Sequence, residues 1–261
     1  MEKKLFNKKW FTWNPSIDTV VALITAMLMI GGGYYLMVHL PEGSVVKTVY
    51  EVIVTFLLVV FPVWWLLWHR NYSLKDLGVK KESLIPSLII SALITAYFLY
   101  YTLSTYSFYG TNLIPHFLTN ALILWEPFFI FCWLQLRFDK AFGIIPGILL
   151  AGISLGAYHL GTYPMPEVIV LALFGILFAA IFRLTSNLLI MWPLTWSTSS
   201  AVGTLKGGFL LGWNEVIMTS IVLLAQLAFI IYTWKHLKSN KLQDSAISQK
   251  RNPEMNGKEP L

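Results

Sequence analysis

Long apolar runs separated by short polar segments occupy most of the chain. Eight of these runs approach the roughly 20 residues that a helix needs to cross the hydrocarbon core of a bilayer. They are residues 18–39, 48–69, 84–106, 114–137, 143–163, 167–184, 187–204 and 213–234. The sixth and seventh runs are short, and only the segment RLTSN separates them. The pattern predicts an all-α, polytopic membrane bundle of about eight transmembrane helices.

The composition also indicates a membrane protein. Hydrophobic residues make up 56% of the chain and charged residues 12%, with a mean hydropathy of +0.64, whereas a soluble domain carries about 25% charged residues. The apolar runs define a transmembrane domain, 18–234, between an N-terminal segment, 1–17, and a polar tail, 235–261. From residue 239 the tail lacks apolar periodicity, so we expect it to be disordered. The lipid bilayer is therefore a predicted partner of the chain.

The distribution of lysine and arginine predicts the orientation. If the N-terminus lies inside, 17 of the 19 basic residues fall on the inner side, and Lys47 and Lys206 are the exceptions. The positive-inside rule then predicts both termini in the cytoplasm, and we expect the chain in the plasma membrane. The net charge of +6 follows from this topology and does not indicate a nucleic-acid surface.

Two ionisable residues stand out inside the predicted spans. Glu126 is near the middle of the fourth span, and His159 lies towards the outer end of the fifth. A charged side chain at the centre of a bilayer costs at least about 2.5 kcal/mol, so each is either a hydrogen-bonded structural group or part of a functional site. At 1.5 Å per residue their depths differ by on the order of 10 Å, unless a helix is tilted. Small residues around His159 predict close packing of the fifth helix against a neighbour.

The segments that carry these two residues are EPFFIFCWLQLRFDKAFG, 126–143, and LGAYHL, 155–160. They resemble the CAAX prenyl protease and bacteriocin-processing family of intramembrane proteases (the CPBP or Abi family). Its motifs are Glu-Glu-x-x-x-Arg-Gly, then Phe-x-x-x-His, then His-x-x-x-Asn or His-x-x-x-Asp on a later helix. The resemblance covers about residues 70–205 and includes LKDLGVKK, which is similar to a short interfacial element of many members.

The sequence departs from the family motifs at several positions. Glu126 corresponds to the first glutamate and His159 to the second-motif histidine, but Pro127 replaces the second glutamate and Phe131 the arginine. The third motif falls near MWPLTWSTSS, where Trp196 and Ser200 stand at about the histidine and asparagine positions. These departures put the retention of catalysis in question.

The resemblance implies hydrolysis of a peptide or membrane-protein substrate, with Glu126 activating water and His159 assisting at the developing oxyanion. A catalytic zinc site normally has three protein ligands, whereas Glu126 and His159 are two. We therefore predict no cofactor, since the ligand count does not support a divalent metal such as zinc. The segment HFLTN, 116–120, has His-x-x-x-Asn spacing but precedes Glu126, so we interpret it as a coincidence. The single cysteine, Cys132, excludes an internal disulfide.

Three functions stay open from the sequence. The first is a divergent intramembrane endopeptidase with Glu126 and His159 as catalytic residues. The second is a catalytically inactive relative that binds a peptide or membrane partner, for example as a bacteriocin-immunity-type protein. The third is a small transporter with Glu126 as a proton or cation site, although no broken helices in two related halves are evident.

Overall fold

The computed structural model describes residues 10–41, 43–106 and 112–251, with the backbone alone beyond residue 237. Its α-helices are α1 (Ile17–His39), α2 (Val45–His69), α3 (Leu84–Tyr106), α4 (Leu113–Leu122), α5 (Trp125–Phe142), α6 (Ile144–Ala157), α7 (Met165–Thr185), α8 (Leu194–Lys206) and α9 (Trp213–Arg251). Short 3₁₀ turns cover Leu74–Leu77 and Leu188–Ile190. The described residues contain no β-strand. The predicted all-α bundle is therefore confirmed.

The number of helices that are long and apolar enough to span a membrane is lower than predicted. Within the described ranges five helices qualify: α1, α2, α3, α7 and the part of α9 up to Leu237. A sixth is obtained if α4 and α5, which meet at an angle of 42°, count as one span. The predicted count of about eight is thus not supported by helix length and composition.

The two remaining predicted spans are short for local reasons. Helix α6 has only 14 residues, because it follows the positive-φ Gly143 and ends before the turns that begin at Tyr158. In the run 187–204 the first residues are not an α-helix. Asn187 donates to Lys80 O (2.6 Å) and accepts from Leu189 N (3.2 Å), so α8 begins only at Leu194. Hydropathy alone does not detect such interruptions.

Ion pairs join several helix ends at one end of the bundle, here called the basic end. They are Arg70–Asp18 (3.1 Å), Arg183–Asp139 (3.1 Å) and Lys140–Asp76 (3.4 Å). These cations come from the ends of α2, α5 and α7, which the sequence predicts on one side of the membrane. The structure therefore groups them at one end of the fold.

Asp76 organises the short turn between α2 and α3 at this end. Its Oδ2 accepts hydrogen bonds from Ser73 N (3.1 Å) and Ser73 Oγ (2.9 Å), as in a capping box. The backbone oxygen of Asp76 accepts from Arg137 Nη2 at 2.6 Å. Burial alone would raise the pKa of Asp76, but the Ser73 hydrogen bonds and the Lys140 charge outweigh it and hold this pKa below its ordinary value.

Aromatic and polar contacts join the helices at the other end, here called the opposite end. Tyr163, which precedes α7, packs edge-on against Phe209, which follows α8, with ring centroids 6.0 Å apart. His116, near the start of α4, shares a hydrogen bond with Thr204, near the end of α8 (Nδ1 to Oγ1, 3.1 Å). Lys206 also lies at this end, as the last residue of α8.

Helices α6 and α7 form the most extensively packed helix pair among the described residues. A Cβ atom added at Gly156 would lie 2.6 Å from Ala172 Cβ and 2.7 Å from Val168 O. Only a residue without a side chain allows this approach, because real Cβ atoms do not come so near to their neighbours. The close packing expected from the small residues around His159 is confirmed.

Helix α5 lies at the centre of the bundle. Every residue from Phe128 to Gln135, where the helix widens into π-helical turns, is buried. Two side-chain N–H groups of this stretch donate to neighbouring helices: Trp133 Nε1 to Thr25 Oγ1 (2.9 Å) and Gln135 Nε2 to Ala179 O (2.8 Å). Cys132 is fully buried among them.

The described residues on either side of the predicted transmembrane domain have defined backbone structure. Residues 12–14 run beside the end of α5, with Thr12 N bonded to Phe142 O (2.9 Å). Helix α9 continues as far as Arg251, so the backbone of 239–251 is helical although its polar sequence predicts disorder. Residues 1–9 of the predicted N-terminal segment and 252–261 of the predicted tail lie outside the described residues.

Candidate functional site

A cavity of about 730 Å³ lies among helices α1 to α8 and the turns that follow α6. It extends from Glu126 in the interior to Lys206 at the opposite end of the bundle. Most of its wall is apolar, formed by residues such as Leu36, Val54, Leu58, Leu155, Phe174 and Phe178. An apolar cavity with a few convergent polar groups is the usual form of a binding or active site.

Glu126 lies at the inner end of this cavity, where α4 and α5 meet. It is in the first turn of α5 and is 7% exposed. Backbone N–H groups in a first helical turn have no intrahelical acceptor, so this position favours a carboxylate. Pro127 follows it, and proline is tolerated there because its missing N–H breaks no intrahelical bond. Pro127 therefore has a structural role at the start of α5.

Two aromatic donors bind the Glu126 carboxyl group. The Tyr158 hydroxyl, from the turn after α6, donates to Oε1. The indole Nε1 of Trp196, on α8, donates to Oε2 at 3.2 Å. Within the part of the chain that the structure describes, no ion pair involves Glu126. The carboxyl group is thus stabilised by neutral hydrogen-bond donors.

His159 lines the same cavity from the turn after α6. Its Nδ1 lies 2.8 Å from Leu155 O, and its ring centroid lies 3.9 Å from that of Tyr158 and 5.6 Å from that of Tyr163. Because a carbonyl oxygen only accepts, Nδ1 carries a hydrogen. In a neutral ring Nε2 is then an acceptor. No hydrogen bond between described residues joins His159 to Glu126, and Tyr158 contacts both, through a hydrogen bond to Glu126 and a ring contact with His159.

The four degenerate motif positions divide into two groups. Trp196 and Ser200, one helical turn apart on α8, both line the cavity, and Trp196 contacts Glu126 directly. Pro127 and Phe131 are not among its lining residues. Phe131 is fully buried in the core and packs against Phe182 and Trp196, with ring centroids at 5.8 and 6.0 Å. The structure therefore brings together Glu126, His159, Trp196 and Ser200, and separates the other two from the cavity.

Several polar lining residues are not identified by the sequence analysis. Thr119 and Asn120, from the segment HFLTN, are buried in the wall, whereas His116 of the same segment is not a lining residue. The sequence feature that could have identified them is the occurrence of two adjacent polar residues, Thr119 and Asn120, in an otherwise apolar run. Glu51 and Glu167, which lie near predicted helix ends, also line the cavity.

Metal-ligating side chains are not clustered in the described residues. No group of three His, Cys, Asp or Glu side chains among them is arranged to hold a metal ion. The prediction about cofactors therefore stays a prediction from ligand count.

Comparisons with known proteins do not assign the chain to a family. No family model matches it, and no curated protein or solved structure matches it. The resemblance to the CPBP family depends on the motif residues alone and stays a prediction.

Proposed function

We propose that this protein is an intramembrane endopeptidase of the CPBP type, in which Glu126 activates water to hydrolyse a peptide or membrane-protein substrate. The observation that carries the proposal is the position of Glu126. It is a buried carboxyl group at the inner end of a large apolar cavity that His159 also lines. A general base needs such access to both water and substrate.

The hydrogen bonds of Glu126 leave it able to act as a base. A carboxylate has two oxygens with about four lone-pair sites, and Tyr158 and Trp196 occupy one site on each oxygen. A water molecule can therefore donate to a remaining site. Glu126 takes its proton, the oxygen attacks the peptide carbonyl carbon, and the proton passes to the leaving amine as the C–N bond breaks.

The tautomer of His159 restricts its role in this mechanism. With Nδ1–H donating to Leu155 O, neutral His159 presents Nε2 as an acceptor. It can then orient the attacking water by accepting a hydrogen bond. Donation to the oxyanion, the role implied by the family resemblance, requires the protonated imidazolium form.

One observation favours a second candidate, a binding protein without catalysis. Trp196, at about the position of a motif histidine, donates directly to Glu126. Pro127, at the position of the second glutamate, is buried at the start of α5. A catalytically inactive relative that holds a peptide in the cavity, such as a bacteriocin-immunity-type protein, requires only the cavity and its wall.

We further infer that the basic end faces the cytoplasm of a plasma-membrane protein, with both termini on that side. The grouping of the cations supports this orientation. Both termini lie on the same side only if the chain crosses the membrane an even number of times, and this proposal counts α6 and α8 as two of the crossings. Helix α6 runs from the basic end towards Tyr163, and α8 follows a segment bonded to the basic end (Leu188 N to Gly78 O, 2.7 Å) and ends at Lys206.

The test of the enzymatic function is a comparison of three proteins reconstituted in liposomes: wild type, Glu126→Gln and Glu215→Gln. A defined mixture of apolar peptides is added, and new peptide termini are measured by mass spectrometry. Glutamine keeps the shape of Glu126 but cannot take a proton, so we expect cleavage to fall by about 10²–10⁴-fold. Glu215 is exposed at the opposite end, accepts from Gly212 N (2.7 Å) and does not line the cavity. Its variant should cleave like wild type.

Two outcomes would contradict the proposal. The first is equal cleavage by wild type and Glu126→Gln, which would assign the products to a contaminant or to another residue. The second is an absence of cleavage by wild type although peptides bind, which would favour the binding protein. Thermal unfolding of each variant shows that lost activity is not lost folding.

A further inference from the structure

The buried polar atoms of the cavity wall are unbalanced. Asn120 Oδ1, Thr119 Oγ1 and Glu167 Oε2 are buried and have no hydrogen-bond partner among the described residues. Two of them are acceptors only, and the third is a hydroxyl that can do either. Leaving such a group unpaired is destabilising, because it has lost its bonds to water without gaining others. These lining atoms therefore require hydrogen-bond donors, which a ligand can supply.

Asn120 is the innermost of these groups. It is fully buried in the last turns of α4, and its Nδ2 donates to His116 O at 2.8 Å. That bond holds the amide in place and leaves Oδ1 as the unpaired atom. Since Glu126 lies at the start of the next helix, Asn120 is well situated to accept an N–H from a chain whose peptide bond approaches Glu126.

The charges of the wall favour a cation. Its acidic residues are Glu51, Glu126 and Glu167, and its lysine is Lys206. Glu167 lies in the first turn of α7, near the opposite end, where the helix N-terminus also favours a carboxylate. An anionic ligand, such as a phospholipid headgroup or a free carboxylate, would bring further acceptors to a wall in which Asn120 Oδ1 and Glu167 Oε2 already lack a donor.

The cavity has two polar regions, one at Asn120 and Glu126 and the other at Glu167, and apolar side chains of the wall lie between them. On α7, Phe174 and Phe178 line the cavity seven and eleven residues beyond Glu167. At 1.5 Å per residue these rings lie about 10–16 Å farther along the helix. A ligand that reaches both regions is therefore extended and apolar, with a positive group towards the opposite end.

We propose that the cavity binds a positively charged, apolar peptide segment. A backbone N–H of the segment donates to Asn120 Oδ1, and a lysine ammonium group pairs with Glu167. This inference rests on the proposed function for the location of the site, and it specifies the substrate class. It differs from that function because it requires binding and not hydrolysis.

The experiment measures binding of three synthetic peptides with the same leucine–alanine core and a lysine, glutamine or glutamate near one end. Each peptide carries a fluorophore, and its anisotropy is recorded with the full chain in nanodiscs of zwitterionic lipid. The protein carries Glu126→Gln, so that no probe is consumed. We expect the lysine peptide to bind most tightly and its affinity to fall at high salt.

Two matched variants test whether Glu167 is the residue that makes the cavity prefer the lysine peptide. Glu167→Gln should weaken the lysine peptide by about five- to tenfold and change the glutamine peptide by less than about twofold. Glu215→Gln removes the same charge at the same end but outside the cavity, so it should change neither. Equal effects of Glu167→Gln and Glu215→Gln, or equal binding of the lysine and glutamate peptides, would overturn the proposal.

Asn120→Leu tests the inner contact. Because every peptide has a backbone N–H, this variant should weaken all three peptides by a similar factor, about tenfold. Unchanged affinity would remove Asn120 from the proposal. If Asn120→Leu does not fold, Thr119→Val, a nearly isosteric change at the adjacent unpaired hydroxyl, replaces it. It should weaken the three peptides by a common factor, and unchanged binding would remove the inner contact.

Failure of this inference and failure of the proposed function give different results. Selective binding of the lysine peptide without cleavage by wild type would support the inference and reject the endopeptidase. Cleavage that depends on Glu126 but shows no charge preference would support the endopeptidase and reject the inference.

Discussion

Replacement of Glu126 should have a stability cost that depends on which donors remain paired. In Glu126→Gln the amide offers one acceptor oxygen and one N–H₂ group to two neighbours. Trp196 can only donate, whereas the Tyr158 hydroxyl can also accept. The amide oxygen can therefore face Trp196 while its N–H₂ donates to Tyr158, and both contacts survive. We expect the free energy of unfolding to change by less than about 1 kcal/mol.

Glu126→Leu should differ because it removes both acceptors. Tyr158 lines the cavity and can rotate its hydroxyl towards water. Trp196 is only 3% exposed, so its N–H stays buried without a partner. An unsatisfied buried donor costs about 1–3 kcal/mol. Trp196→Phe removes this donor but also leaves a cavity beside Phe131, so the double variant should be destabilised by less than the sum of the two single changes.

The assay is reversible unfolding in mixed detergent micelles, followed by the circular dichroism of the helices. The five proteins are wild type, Glu126→Gln, Glu126→Leu, Trp196→Phe and the double variant Glu126→Leu with Trp196→Phe. A larger destabilisation by glutamine than by leucine would refute the hydrogen-bond argument. So would a double variant destabilised by the full sum of its two single changes.

Three further predictions concern packing, the basic end and orientation. Gly156→Ala should destabilise the protein by about 1–3 kcal/mol, because the new methyl group overpacks the α6–α7 contact, whereas Gly31→Ala, which meets no neighbour within 4 Å, should stabilise it by about 0.5–1 kcal/mol. Thermal unfolding compares the two variants, and equal effects would contradict the close packing of α6 and α7. The folded-state pKa of Asp76 is lowered, so the Asp76 carboxylate stabilises the fold above its unfolded pKa of about 3.9, and this stabilisation is lost as pH falls through the folded pKa. The stability deficit of Asp76→Asn should therefore vanish in acid, and a deficit that is independent of pH would refute this prediction. In a cysteine-free background, a membrane-impermeant maleimide added outside intact cells should label Leu210→Cys and not Val79→Cys, and the reverse pattern would invert the proposed orientation.

The sequence by itself determined the class of the protein. Apolar runs of about 20 residues cannot be kept in water and must satisfy their backbone groups internally, so a helical membrane bundle follows from composition and run length. The distribution of lysine and arginine likewise predicts the orientation, because the positive-inside rule depends on the charges of each short loop and not on the tertiary fold. This is why cations scattered along the chain, such as Arg70, Lys140 and Arg183, lie at one end of the bundle.

The number and length of the helices were less accessible to sequence reasoning. Hydropathy averages over a window, whereas a helix ends where particular side chains bond to the backbone. Asn187, the first residue of the predicted seventh run, bonds to Lys80 O and Leu189 N, and the helix of that run begins only at Leu194; the first of these bonds crosses 107 positions of the chain. Such a contact depends on α3 already lying beside that segment.

The candidate site shows the same division. Glu126 and His159 are identifiable from sequence because an ionisable group in an apolar run is costly wherever the chain folds. Their surroundings are only partly so: the family resemblance points to Trp196, whereas Tyr158, Asn120 and the lining carboxylates have no local pattern that assigns them to one cavity. Only the tertiary structure decided that Trp196 donates to Glu126 across 70 positions of the chain. Such convergence depends on helix packing, which the order of residues along the chain does not display.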